Sequence, residues 1–92
     1  MGVVYDELYI STMREMDVCA GVILKLERVI RDMEIKYNLK TPEFIGRFNR
    51  GGMEDNKDFI EWHGSYERLK HWEGRLKEFK DILRNAQDES VR

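Results

Sequence analysis

The sequence predicts an all-α protein: a long antiparallel helical hairpin with a short capped helix at the bend, which we expect to dimerise into a four-helix bundle. Two long segments with apolar residues at helical spacing predict the hairpin, and a helix start at Thr41-Pro42-Glu43 followed by a stop at Gly51-Gly52 predicts the short helix. The length of 92 residues suits one domain. Within this single domain, 1-92, we expect helices over about 6-38, 42-50 and 59-87.

The first long segment has an apolar face wider than one neighbouring helix can cover. Met16, Ala20, Ile23, Ile30 and Tyr37 form one stripe, and Cys19, Val22, Leu26, Val29 and Met33 form another beside it. A face of this width favours contact with more than one helix. Two helix starts remain open, because Asp6 is a possible N-cap and Thr12 with Glu15 has the spacing of a capping box. The helix is expected to end at Asn38-Leu39-Lys40.

The short helix has the clearest boundaries. Thr41 offers an N-cap hydroxyl, Pro42 suits the first helical position, and Glu43 places an acid near the positive end of the helix dipole. Phe44, Ile45 and Phe48 give it one apolar side. Glycines at 51 and 52 then end it.

The last helix carries the strongest periodic pattern in the chain. Asp58 and Glu61 have capping-box spacing and predict its start. A seam spaced by alternating steps of three and four residues follows: Trp62, Ser65, Leu69, Trp72, Leu76, Phe79, Leu83 and Ala86. A heptad seam of this length is typical of coiled coils and antiparallel bundles.

Composition excludes several partner classes. The 16 Lys and Arg against 18 Asp and Glu leave a net charge of -2, so no basic surplus is available to hold nucleic acid or an anionic membrane. The longest uncharged apolar run, 18-24, is far shorter than a bilayer requires. A lone cysteine, Cys19, cannot form an intramolecular disulfide, and the first residues lack the cationic start of a secretory signal. We therefore expect a cytoplasmic protein.

Only one group of residues suggests a metal site. His63, Glu67 and His71 follow one another at four-residue steps, and their side chains are legitimate zinc ligands. The two histidines would lie about 12 Å apart along a helix, too far to share one ion within one chain. The alternative is an exposed face on which Glu67 pairs with the histidines. With Cys19 expected to be buried, we predict no catalytic residue, no cofactor and no metal ligand.

Six aromatic residues gather around the bend and the start of the last helix: Phe44, Phe48, Phe59, Trp62, Tyr66 and Trp72. Most of them are needed as core or as the seam of a homodimer. Aromatic residues are also enriched where interfaces concentrate their binding energy. We assign Phe44, Phe48, Trp62 and Tyr66 as candidate partner-binding residues.

Two elements around the bend carry a resemblance. The stretch 36-44 (KYNLKTPEF) is followed by Arg47-Phe48 and a glycine, and 58-62 (DFIEW) by Tyr66 and Leu69. Together they resemble a group of small prokaryotic all-helical proteins over about half of the chain. Genes of that group often accompany a small toxin-like partner, so the resemblance implies an antitoxin-like or scaffolding role and no catalytic residues.

We therefore expect a non-enzymatic protein-interaction module, an antitoxin-like neutralising partner of a small toxin. One alternative is a homo-oligomeric scaffold. The alternative from another class is a metal-assisted hydrolase of the all-α bundle kind, which needs acids and histidines facing the bundle interior. The seam of the last helix carries Trp, Leu and Phe instead.

Overall fold

The chain folds as three helices joined by short connections. The computed structural model describes the backbone of residues 2-91 and the side chains of residues 7-85. Its helices are α1 (Gly2–Tyr37), α2 (Thr41–Asn49) and α3 (Lys57–Val91), and no strand occurs among the described residues. The long helix α1 packs on α3 as a hairpin, which confirms the all-α hairpin with a short helix at its bend. None of the described helices has the combination of length and apolar character that a bilayer span requires.

Contacts divide the chain into two compact units. We call Leu24–Lys70 the elbow unit, since it contains α2 and the halves of α1 and α3 that adjoin the bend. We call Met1–Ile23 with His71–Arg92 the helix-pair unit, because it contains the other halves of the two long helices.

The inner face of α1 is a heptad seam drawn from both predicted stripes. Its buried and half-buried members alternate in steps of four and three: Thr12, Met16, Cys19, Ile23, Leu26, Ile30, Met33 and Tyr37. The predicted stripe residue Ala20 is exposed instead. The other nine residues of the two predicted stripes are buried or half-buried, so the wide apolar face is confirmed except at Ala20.

Thr12 shows where the predicted starts of the first helix were wrong. Its side chain is buried, and its hydroxyl donates a hydrogen bond of 2.8 Å to the carbonyl of Leu8, one turn earlier in the same helix. A residue in this position is inside a helix and does not cap one. Because α1 begins at Gly2, neither Asp6 nor Thr12 is its N-cap. The side chain of Asp6 itself lies outside the described residues.

The predicted seam of α3 is confirmed from Trp62 to Leu83. Trp62 and Ser65 are buried. The next five seam positions are half-buried between charged, exposed neighbours: Leu69, Trp72, Leu76, Phe79 and Leu83. Ala86, the last predicted member, lies outside the residues whose side chains are described.

Backbone turns end both helices of the elbow where the sequence predicts. Asn38 adopts a left-handed conformation with φ of 49°, and the N–H of Leu39 returns to the carbonyl of Glu34 at 3.2 Å. Gly51, just after the end of α2, also adopts the left-handed conformation, with φ of 73°. Asparagine and glycine are the residues that tolerate this conformation at a helix end. The stops at Asn38 and at the glycine pair are confirmed.

The N-cap of α3 is a different residue from the one predicted. The Asn56 side-chain oxygen accepts a hydrogen bond of 2.8 Å from the backbone N–H of Asp58, so Asn56 is the capping residue. The predicted cap at Asp58 is wrong. The carboxylate of Asp58 instead accepts hydrogen bonds from Lys36 and Tyr37 of α1.

Candidate functional site

The centre of the elbow unit is a pair of stacked aromatic rings. Phe44 of α2 and Trp62 of α3 are fully buried, with ring centroids 3.9 Å apart and planes inclined by only 3°. Phe59 is buried beside them, its ring tilted against Phe44 at 5.7 Å. Ile30 of α1 completes the buried cluster. The short helix is therefore held to the hairpin mainly by aromatic packing.

Thr41 connects all three helices at the edge of this cluster. Its hydroxyl donates to the Glu34 carboxylate of α1 at 2.8 Å and accepts from the indole Nε1 of Trp62 at 3.1 Å. Its backbone N–H donates to the same Glu34 oxygen at 2.8 Å. The N-cap position belongs to Lys40, and no side chain caps the helix there. The predicted capping role of Thr41 is wrong, because the tertiary structure engages its hydroxyl elsewhere.

The carboxylate of Glu34 is held ionised by these contacts. Burial by itself raises its pKa, but the hydrogen bonds from the backbone and side chain of Thr41 outweigh burial. The positive charges of Lys40 and Arg31 act in the same direction, and the net result is a lowered pKa. Glu34 is thus a charged hydrogen-bond acceptor that orients the start of α2.

A second carboxylate joins the start of α3 to the end of α1. Asp58 accepts hydrogen bonds from the Lys36 ammonium at 2.6 Å and from the Tyr37 hydroxyl at 2.5 Å, both to the same oxygen. The hydrogen bonds from Lys36 and Tyr37 lower the pKa of Asp58. The hydrogen bond to Asp58 raises the pKa of Tyr37. These hydrogen bonds connect the end of α1 to the start of α3, the two helix ends that flank α2 in the chain.

The four candidate partner-binding residues fall into two pairs. Phe44 and Trp62 are fully buried in the aromatic cluster and present no surface for a partner to contact. Phe48 and Tyr66 are half-buried and retain exposed ring area. The ring of Phe48 stacks on the imidazole of His63 at 4.3 Å, and the Lys70 ammonium lies 5.3 Å from the ring centre of Tyr66. Of the four candidates, Phe48 and Tyr66 are therefore the two that a partner could contact.

Tyr66 lies along a shallow groove of about 330 Å³ beside the start of α2. Apolar groups of Ile30, Pro42 and Leu69 line it together with Tyr66. Charged side chains of Glu27 and Arg31 also line the groove, and both are exposed. Glu34 and Thr41 line it as well, so polar and apolar groups contribute together, as they do at many protein-binding surfaces.

His63, Glu67 and His71 do not form a group of metal ligands among the described residues. In the elbow unit, His63 Nε2 lies 3.9 Å from the Glu67 carboxylate. In the helix-pair unit, the imidazole of His71 meets Trp72 edge-on with ring centres 5.7 Å apart. Among the residues described, no three His, Cys, Asp or Glu side chains are grouped as metal ligands would be. His63 and Glu67 have the geometry of a surface pair, and His63 also packs on an aromatic ring.

Sequence reasoning missed both carboxylate contacts. Glu34 and Thr41 are seven residues apart, and Asp58 lies more than twenty residues beyond Lys36 and Tyr37. No periodic pattern relates such positions, so the residues of this site are identified from their geometry. No protein family model, curated protein or solved structure matches the chain.

Proposed function

We propose that the chain is a non-enzymatic protein-interaction module that neutralises a small toxin-like protein by binding it, in the manner of an antitoxin. The cytoplasm is its proposed compartment, in keeping with a lone buried thiol at Cys19. The resemblance of the residues around the bend to antitoxin-like proteins supports the toxin-binding role. The more general role in association is supported by the exposed and half-buried apolar residues of the helix-pair unit.

The helix-pair unit leaves its apolar residues half covered. Among side chains 7-23 and 71-85, only Thr12 and Cys19 are buried. The remaining apolar members of the two seams in this unit are half-buried: Met16, Ile23, Trp72, Leu76, Phe79 and Leu83. Five large apolar side chains of α1 are exposed as well: Leu8, Tyr9, Ile10, Met13 and Val18. Contiguous exposed apolar surface marks association sites in folded proteins, and we propose that part of these residues forms such a surface.

The elbow unit supports the same proposal by contrast. There α2 lies on the hairpin as a third helix, and Phe44, Phe59 and Trp62 reach full or nearly full burial. In the helix-pair unit, which lacks such a third helix, only Thr12 and Cys19 reach burial among the described side chains, and neither is a large apolar residue. We therefore propose that the helix-pair unit obtains its missing cover from another chain. A homodimer that forms a four-helix bundle is the proposed resting state.

The toxin-binding surface is proposed to lie in the elbow unit. Phe48 and Tyr66 supply partly exposed aromatic area, and the groove beside Tyr66 supplies a concave place for an apolar anchor. Phe44 and Trp62 support this surface from beneath and do not contact the partner. In this proposal, association of copies and toxin binding use different parts of the chain.

Light scattering after size exclusion tests the proposal, first on the chain alone and then after co-expression with the product of the neighbouring reading frame. We expect a mass near twice 11.1 kDa for the chain alone, and co-elution with the neighbouring product. Replacing Phe48 and Tyr66 by alanine should abolish co-elution without changing the mass of the chain alone. A dimer that captures nothing would refute the antitoxin role and favour a homo-oligomeric scaffold. A monomer that captures nothing would refute both.

A further inference from the structure

We infer that the helix-pair unit opens and closes as a separate cooperative unit while the elbow unit stays folded. In the opened state, Gly21 and Gly74 are the residues at which the remaining parts of α1 and α3 end. This opening requires no partner and is therefore separate from the proposed function. It is a conformational property of the chain alone.

The two units differ in how much apolar surface they bury. In the elbow unit, Ile30, Phe44, Phe59 and Trp62 form a buried cluster. In the helix-pair unit, Cys19 is the one buried apolar side chain among those described. Burial of apolar surface is the main favourable contribution to folding, so the helix-pair unit gains less from folding than the elbow unit does.

The polar contacts between helices are also found in the elbow unit. There Thr41 bonds to Glu34 and Trp62, and Asp58 bonds to two residues at the end of α1. In the described part of the helix-pair unit, the hydroxyl of Thr12 bonds to a backbone carbonyl of its own helix and joins nothing to α3. Regions with few buried contacts open at a lower free energy than the rest of a protein.

Each long helix has a glycine close to the point where the chain passes from one unit to the other. Gly21 lies three residues before Leu24, the first residue of the elbow unit, and Gly74 lies four residues after Lys70, its last. A Cβ atom at either glycine would meet no atom within 4 Å, and neither glycine has a positive φ. The closed helices therefore give no reason for glycine here, although glycine is less favourable than alanine inside a helix.

The opened state does give a reason for both glycines. When the helix-pair unit opens, the remaining part of α1 has a new N-terminus and the remaining part of α3 has a new C-terminus. Glycine is accepted at the N-cap position, which Gly21 then occupies. It is the preferred residue just after a helix C-terminus, which is the position of Gly74. The opening therefore stops at these two residues and leaves the elbow unit with capped helix ends.

Gly64 provides a matched control for this pair. It lies in the part of α3 that belongs to the elbow unit, and it is half-buried. A Cβ atom there would lie 3.2 Å from a guanidinium nitrogen of Arg68, the far end of a flexible side chain. Gly64 stays inside a helix whether the helix-pair unit is open or closed.

Hydrogen exchange of the full chain, followed by mass spectrometry, tests the separate opening. At a low protein concentration, where self-association contributes least, we expect the amides of 7-21 and 74-85 to share one protection factor. It should be at least about tenfold lower than that of the α1 and α3 amides in the elbow unit. One protection factor for all these amides would overturn the inference. Protection that declines gradually toward the helix ends would overturn it as well, because that is fraying and not cooperative opening.

A variant of the elbow unit separates local opening from global unfolding. Thr41→Val removes hydrogen bonds that only global unfolding breaks, so it should lower the protection of the elbow amides by about tenfold. The protection of 7-21 and 74-85 should not change, because their local opening leaves these bonds intact. Phe48→Ala gives the same comparison if Thr41→Val does not fold. An equal fall in both units would show that the chain unfolds as one and would refute the separate opening.

The positions where the opening stops are tested at the glycines. Gly21→Ala and Gly74→Ala should each raise the protection of 7-21 and 74-85 by about fivefold, because alanine favours the closed helix. Gly64→Ala should leave the protection of these amides unchanged. If Gly64→Ala raises it equally, or if Gly21→Ala and Gly74→Ala do not raise it, the two glycines are not the ends of the opening.

Discussion

The indole nitrogen of Trp62 donates a hydrogen bond of 3.1 Å to the hydroxyl of Thr41, 21 residues earlier in the chain. The hydroxyl in turn donates to Glu34 at 2.8 Å, so one small side chain satisfies a buried indole and orients a carboxylate. A buried indole N–H without a partner would cost the full desolvation of that group. Thr41 therefore links the aromatic stack of the elbow unit to α1.

Thr41→Val should lower the free energy of unfolding by about 1 to 3 kcal/mol. Valine has the same shape but leaves the indole N–H of Trp62 unpaired and removes one hydrogen bond to Glu34. Chemical denaturation followed by Trp fluorescence measures the change. Thr41→Ser keeps the hydroxyl and should retain most of the stability. Equal loss in both variants would show that packing of the Thr41 methyl group, and not the hydrogen bonds, is what matters.

Phe44→Ala should be among the most destabilising substitutions in the chain. It removes a fully buried ring stacked on Trp62 and leaves a cavity, at a cost of about 3 to 5 kcal/mol. Phe48→Ala on the same helix should cost clearly less, because Phe48 is half-buried. Thermal unfolding and near-ultraviolet circular dichroism compare the two. The aromatic-stack account fails if the two variants unfold at the same temperature.

Acid should destabilise the elbow through Asp58. Its pKa is lowered from an ordinary value of 3.8 by hydrogen bonds from Lys36 and Tyr37, so folding favours the ionised form. The resulting stabilisation is fully present above the ordinary value and is lost as the pH falls through the lowered pKa.

Asp58→Asn measures the contribution of this carboxylate. The variant should be less stable than the parent at pH 7, and the difference should shrink as the pH falls below 3.8. Urea unfolding at a series of pH values gives the comparison. A difference that stays constant across the series would show that ionisation of Asp58 does not contribute.

Leu76→Asp tests the seam of α3 within the helix-pair unit. Leu76 is a half-buried seam residue, and a carboxylate there should reduce stability by about 2 kcal/mol and lower the helical content. Ile82→Asp is the matched control, because Ile82 is an exposed apolar residue on the same helix outside the seam. Its circular dichroism should match that of the parent. Unchanged helicity in Leu76→Asp would refute the seam assignment.

Local sequence patterns were enough to predict three helices and the seam of α3. Alternating steps of three and four place residues on one helix face whatever surrounds them, so the positions from Trp62 to Leu83 could be predicted to face inward. The stops at Asn38 and Gly51 could also be predicted, because only a few residue types tolerate the left-handed conformation that ends a helix.

The roles of the polar side chains at the bend depend on contacts between helices that no local pattern predicts. Thr41 and Asp58 both have the composition and local spacing of caps, yet Glu34, Lys36 and Tyr37 engage them from another helix. The tertiary structure also decided that Phe44 and Trp62 are core while Phe48 and Tyr66 keep exposed surface. The physical reason is that backbone periodicity acts over one or two turns, whereas burial and hydrogen-bond partners depend on residues far apart in the chain.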